Sequence, residues 1–131
     1  MTVCDTSVWI AYFNGVITPE TNHLDELLED GKILMLDIIL LELLQGFRND
    51  KHYKQAFKLL TQLPVYAAIN PESAIRIADH YRKFRKKGIT IRKTIDMMIA
   101  VWCMEQDVTL LHDDKDYTLI SDHLSLKTVK V

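Results

Sequence analysis

Several features that would place a chain quickly are missing here. Only two of the 131 residues are cysteine, and Cys4 and Cys103 match neither a C-x-x-C motif nor a disulfide framework, which fits a reducing cytoplasm. No secretory signal is visible, because Asp5 interrupts the amino terminus before an apolar segment can form. Apolar runs such as Ile38 to Leu41 are far too short to cross a bilayer, so a cytoplasmic protein is expected and no membrane partner. Positive charge is not in excess: 16 Lys and Arg stand against 18 Asp and Glu, with a sequence pI near 6.2. Composition therefore carries no global signature of nucleic-acid binding. The five histidines show no HExxH or H-x-H spacing, which argues against zinc. Linkers, low-complexity tracts and internal repeats are also missing. With 48% hydrophobic residues, the chain reads as one domain over residues 1–131 with a real core.

What the chain does have is an alternation of short apolar strands and helical patterns. Thr2 to Cys4 reads as a strand, and Asp5, Thr6 and Ser7 offer capping oxygens to a helix running from Val8 to Asn14-Gly15. Pro19 opens a second helix, with Leu24, Leu27 and Leu28 as its stripe and Gly31 as its stop. Lys32 to Leu36 reads as a second strand. Ile38 to Phe47 is apolar nearly all round, the mark of a buried helix. Tyr53, Ala56, Phe57, Leu60 and Leu63 recur at helical spacing, and Val65 to Ile69 is expected as the third strand. A long amphipathic helix runs from Pro71 towards Gly88, and a second buried one from Thr94 or Asp96 to about Glu105. Val108 to Leu111 is a strand, followed by the loop His112-Asp113-Asp114-Lys115-Asp116, and Leu126 to Val131 is the last strand. Such alternation predicts a mostly parallel sheet covered on both faces. The ligand crevice of such sheets lies outside the carboxyl ends of the strands, where Asp5 and the aspartate-rich loop both fall.

Acids in apolar surroundings carry the functional signal. Glu42 is the only charge from Ile38 to Phe47, and Asp96 the only one between Lys93 and Glu105. Asp5 closes the first strand. A carboxylate withdrawn from water must be paired, neutralised or bound to a cation. Several such acids, with no equally isolated Lys or Arg among them, point to a shared divalent metal. Oxygen donors in an open anionic crevice suit Mg²⁺ or Mn²⁺ better than Zn²⁺. Such a site would acidify a bound water and neutralise charge on a phosphodiester, so hydrolysis of a nucleic-acid backbone follows as a reaction class.

Simpler roles compete at each position. Asp5 alone reads first as a helix cap, and Asp96 reads as one less readily, since Thr94 is available for the second helix. Glu42 has no capping role in mid-helix, which leaves a salt bridge as its alternative. The cluster of Asp113, Asp114 and Asp116 alone is more often a solvated turn. The conjunction is what argues for a site.

Taken together, the segments C-D-T-S-V-W-I at Cys4 to Ile10, L-E-L-L-Q-G at Leu41 to Gly46, K-T-I-D-M-M-I-A at Lys93 to Ala100 and L-L-H-D-D-K-D-Y at Leu110 to Tyr117 resemble the PIN domain. Within that superfamily they are most similar to VapC-type toxin ribonucleases. The resemblance implies an α/β/α sandwich with a mostly parallel central sheet and a Mg²⁺- or Mn²⁺-dependent endoribonuclease. It implies Asp5 and Asp96 as metal ligands, Glu42 as an acid completing the shell or orienting its water, and Asp114 as the fourth acid. Asp116 matches a frequent neighbouring acid, while Thr6 and Ser7 match hydroxyls that order the first acid or a phosphate. Asp113 stands where Asn is common and His112 where a Ser or Thr hydroxyl is frequent. The resemblance further implies a small antitoxin that inserts a basic side chain into the acidic pocket, and a homodimer.

Seven of the 16 basic residues, Arg82, Lys83, Arg85, Lys86, Lys87, Arg92 and Lys93, crowd one stretch leading to Asp96. Positive charge suits a helix carboxyl terminus, yet a basic rim beside an acidic pocket would also hold RNA phosphates, with Arg92 and Lys93 the better candidates. Trp9, Tyr12 and Phe13 read as core, His112 as a solvated loop residue and Tyr117 as packing for that loop. A receiver-type phosphotransfer domain needs adjacent acids where Thr6 follows Asp5, and a haloacid dehalogenase-like phosphatase needs an acid where Ser7 stands. A PIN fold that has lost catalysis and only binds RNA or protein is the remaining alternative.

Overall fold

The computed structural model describes residues 1–129 and 131. Four parallel strands form its sheet in the order β3-β2-β1-β4: β1 (Thr2–Cys4), β2 (Ile33–Leu36), β3 (Val65–Tyr66) and β4 (Thr109–Leu111). The chain builds outwards from β1 through β2 to β3, then crosses back to lay β4 on the other side of β1. Right-handed crossovers put α1 (Thr6–Phe13), α2 (Pro19–Glu29), α3 (Asp37–Gly46) and α4 (Asp50–Leu60) on one face. The return crossover puts α5 (Pro71–Lys86) and α6 (Thr94–Glu105) on the other, with α7 (Lys115–Ser121) against α6. The result is the expected three-layer α/β/α sandwich. Its core includes Val3, Trp9, Leu24, Met35, Leu36, Ile39, Met97, Ile99, Leu110 and Ile120, and contains the free thiols of Cys4 and Cys103.

Local chemistry explains the element boundaries. Thr18 and Asn70 cap α2 and α5 through reciprocal hydrogen bonds with Thr21 and Ser73, and a proline starts each helix. The exposed basic residues Lys83, Arg85 and Lys86 lie in the last turn of α5, where they face the negative end of the helix.

Four expectations need correction. The third strand stops at Tyr66 rather than Ile69, because Asp37 Oδ1 on α3 takes the Ala68 N–H at 3.0 Å and removes it from the ladder. The last strand, Leu126 to Val131, is reduced among the described residues to one parallel bridge between Leu110 and Thr128, and Lys130 lies outside them. Helix α3 is not buried all round: Ile39 and Leu43 are, but Leu41 is 61% exposed. The aspartate-rich segment is not a loop throughout, since Asp114 caps α7 by accepting from the Asp116 N–H at 2.9 Å. Among the described residues no helix is long and apolar enough to cross a membrane.

Candidate active site

In an open parallel sheet the crevice forms where neighbouring strands send their connections to opposite faces. Here that point lies between β1 and β4, whose carboxyl ends are tied by the Asp5 N–H donating to Leu111 O at 2.9 Å. Asp5 follows β1, Asp114 follows β4, and Asp96 arrives in the first turn of α6. Asp5 and Asp96 are 7% and 6% exposed, so both carboxyls are withdrawn from water.

The two acids meet at one phenol. The Tyr117 hydroxyl lies 2.9 Å from Asp5 Oδ1 and 3.2 Å from Asp96 Oδ1. Tyr117 is fully buried; it packs on the loop through His112, as expected, and is in addition a member of the site. Its position after the acid cluster was visible in the sequence, but its partners, 112 and 21 residues away, were not. Burial, followed by the charges of Asp5 and Asp96, holds its phenol far above the usual tyrosine range. Burial first, then Asp5 and Asp114, push the Asp96 pKa up to about 6, against the pull of Tyr117 and Lys93. Asp96 does not cap its helix: Lys93 occupies the cap position and makes no side-chain bond there. Asp5 does both jobs, accepting from Ser7 N at 3.4 Å and Ser7 Oγ at 2.9 Å while its other oxygen meets Tyr117.

Glu42 joins through Thr6, whose hydroxyl donates to Glu42 Oε1 at 3.0 Å. Among the described residues no Lys or Arg pairs with Glu42, which sets aside the salt-bridge alternative. Asp116 turns away from the pair. Its Oδ2 accepts from the backbone N–H and Nε of Arg92, at 3.3 and 3.2 Å, while Arg92 Nη2 stands 3.5 Å from Asp114 Oδ1. Arg92 is therefore committed to acids, and Lys93 is the exposed cation left beside Asp96. His112 is not a solvated loop residue. It is half-buried, its ring lies 5.1 Å from that of Tyr117, and its Nδ1 accepts the Asp114 N–H at 3.2 Å. Burial pushes its pKa down, so it is a neutral acceptor at ordinary pH.

The donor chemistry fits a hard dication. Asp96 Oδ2 is buried with no hydrogen-bond partner among the described residues, in a site whose other free donors are carboxylate oxygens. As they stand, no three Asp, Glu, His or Cys side chains among the described residues come close enough to hold one ion together. The structure thus draws Asp5 and Asp96 into a pair, brings Asp114 within their field, and links Glu42 through Thr6. Magnesium needs only one or two carboxylates when waters and substrate phosphate complete its shell.

A parallel sheet in this order, with buried acids at its switch point, defines an acid-centred α/β/α sandwich, and the PIN domain model matches residues 2–122. The chain belongs to the PIN domain family. It is 29% identical over 126 residues to Ribonuclease VapC11 of Mycobacterium tuberculosis, and to a VapC ribonuclease of Mycobacterium bovis, covering 92% of each pair of chains. Solved structures with the same fold include VapBC2 from Rickettsia felis bound to a promoter DNA fragment, with a TM-score of 0.74 at 18% identity over 98% of both chains. FitAcB from Neisseria gonorrhoeae gives 0.72 at 19% identity, covering 99% of this chain and 97% of that one.

Proposed function

We propose that this chain is a Mg²⁺- or Mn²⁺-dependent endoribonuclease and the toxin of a toxin–antitoxin pair. The observation that carries the reading is the buried Asp5–Asp96 pair at the strand switch point, with Asp96 Oδ2 lacking any hydrogen-bond partner among the described residues. Membership of the PIN family and likeness to VapC ribonucleases supply the reaction class.

Asp5 and Asp96 would hold the ion, with Asp114 and Glu42 completing the acidic wall. When bound, the ion supplies a more acidic water and neutralises charge on the scissile phosphate. Ser7 fixes Asp5, and Thr6 holds the Glu42 carboxylate, which would accept a proton from that water. Asp116 holds Arg92 in place. Lys93, and Arg92 where Asp114 releases it, would bind RNA phosphates flanking the cut. A small antitoxin suits the apolar groove formed by Ile10, Phe13, Leu43 and Phe47, where Glu42 also lines the wall and could receive a basic side chain. A homodimer accords with exposed apolar residues at the β3 edge and on α5, namely Val65, Tyr66, Ile69 and Ile75.

The gap between the present side-chain positions and a three-ligand ion site favours one second reading, a PIN module that binds RNA without cutting it. The deciding experiment incubates wild type, Asp5→Ala and Asp96→Asn with total RNA, with Mg²⁺ or Mn²⁺ and with EDTA. Cleavage only by metal-loaded wild type is expected. Scission that survives both substitutions or EDTA overturns the mechanism, and RNA binding without scission under any metal favours the silent module.

A further inference from the structure

We propose that Tyr117 is the positioning residue that presets the Asp5–Asp96 pair and determines which Asp96 oxygen is offered to the cation. The proposal rests on the metal-dependent reading above and adds a residue to it. Tyr117 is rooted in α7, whose amino end is capped by Asp114, and its ring packs against His112. Its hydroxyl meets Oδ1 of both acids. A phenol carries one proton, so the two carboxyl groups share a single donor. Both are thereby gathered on one oxygen, and neither can swing away or turn over without breaking a buried hydrogen bond.

The remaining oxygens are then distinguished. Asp5 Oδ2 is taken by the Ser7 hydroxyl and N–H. Asp96 Oδ2, although buried, has no hydrogen-bond partner among the described residues. An unpartnered carboxylate oxygen in such a place is costly until a cation reaches it. Packing alone explains the ring, since phenylalanine would fill the same space. Only the hydroxyl hydrogen-bonds the acids, on Oδ1 of each. Donors that orient metal ligands in this way typically account for about 10–100-fold in metal affinity.

The test compares wild type with Tyr117→Phe in three measurements: Mn²⁺ binding by titration calorimetry, RNA cleavage against Mn²⁺ concentration, and the thermal midpoint. Tyr117→Phe should bind Mn²⁺ about 10–100-fold more weakly and need correspondingly more Mn²⁺ for half-maximal cleavage. Its rate at saturating Mn²⁺ should return to within about tenfold of wild type, with KM for RNA unchanged, a split that a merely structural defect would not produce. Unchanged Mn²⁺ affinity, or a loss that excess Mn²⁺ does not recover, overturns the proposal. If Tyr117→Phe does not fold, the wild-type chain labelled with 3-fluorotyrosine at its five tyrosines decides the question. One ¹⁹F resonance should move on adding Mg²⁺, and no movement refutes the role. Wild type that neither binds Mn²⁺ nor cleaves RNA removes the metal-dependent reading together with this one. Wild type that does both, beside an indistinguishable Tyr117→Phe, removes this one alone.

Discussion

Thr6 and Glu42 are joined by a hydrogen bond of 3.0 Å, so the amino end of α1 sets the direction of the acid carried by α3. The two residues are 36 positions apart, and the bond links adjacent helices on the same face of the sheet. It gives the half-buried Glu42 carboxylate a partner without cancelling its charge. A carboxylate held in a fixed direction suits the proton-accepting role proposed for Glu42.

Thr6→Val keeps the β-branched shape and removes the donor. Cleavage by Thr6→Val should fall about 10–100-fold at saturating metal, with a loss of stability near 1 kcal/mol. Gel-based cleavage rates and urea unfolding measure the two effects separately. Wild-type cleavage by this variant would show that Glu42 works without the Thr6 contact.

The Asp96 carboxyl, with its pKa raised to about 6, predicts how metal-free stability responds to pH. Between the unfolded value of 3.8 and about 6 the native state binds more protons than the unfolded state. The favourable contribution is therefore complete below the unfolded value and is lost as pH rises through about 6. In EDTA the unfolding free energy should decline across this window, by at most about 3 kcal/mol at 1.36 kcal/mol per pKa unit. Asp96→Asn should flatten the decline. Mg²⁺ held as proposed would stabilise the ionised form, so added Mg²⁺ should raise the thermal midpoint at pH 7 much more than at pH 5. A midpoint that climbs steadily from pH 4 to 6 in EDTA contradicts the assignment.

Arg92 holds Asp116, and through it the start of α7. Arg92→Ala leaves only the backbone N–H on Asp116, so the urea midpoint should drop and the Mn²⁺ needed for half-maximal cleavage should rise as Asp114 and Tyr117 lose their support. Arg92→Lys should recover less than half of the loss, because an ammonium cannot reproduce the guanidinium fork. Salt should reduce the difference from wild type, since the Arg92 side chain is 68% exposed. An Arg92→Ala protein with unchanged metal requirement would restrict the residue to RNA contact.

Short-range patterns carried much of this architecture. Asp5 at the end of β1, the proline-led helices α2 and α5, and the isolated charge of Asp96 in α6 are all readable from neighbours within a few residues. The acids at strand ends followed from the general geometry of parallel sheets. Four features were hidden, each for a definite reason. Helix α7 spans only seven residues, fewer than two and a half turns at 3.6 residues each, too few for periodicity to separate it from a polar turn. The truncation of β3 depends on Asp37, a residue 31 positions from the backbone group it captures. Tyr117 looked like filler because a hydroxyl's value lies in what it meets, and its partners come from β1 and α6. The commitment of Arg92 to Asp114 and Asp116 was invisible for the same reason: a crowded basic stretch does not say which of its members is already neutralised.

The sheet order has a consequence for biosynthesis. The fourth strand to leave the ribosome pairs with the first, and the last acids are delivered only after that pairing. A nascent or prematurely terminated polypeptide that ends before β4 lacks Asp114 and Tyr117 and exposes one flank of β1. Translation itself thus delays the moment at which the complete acid-lined site can exist.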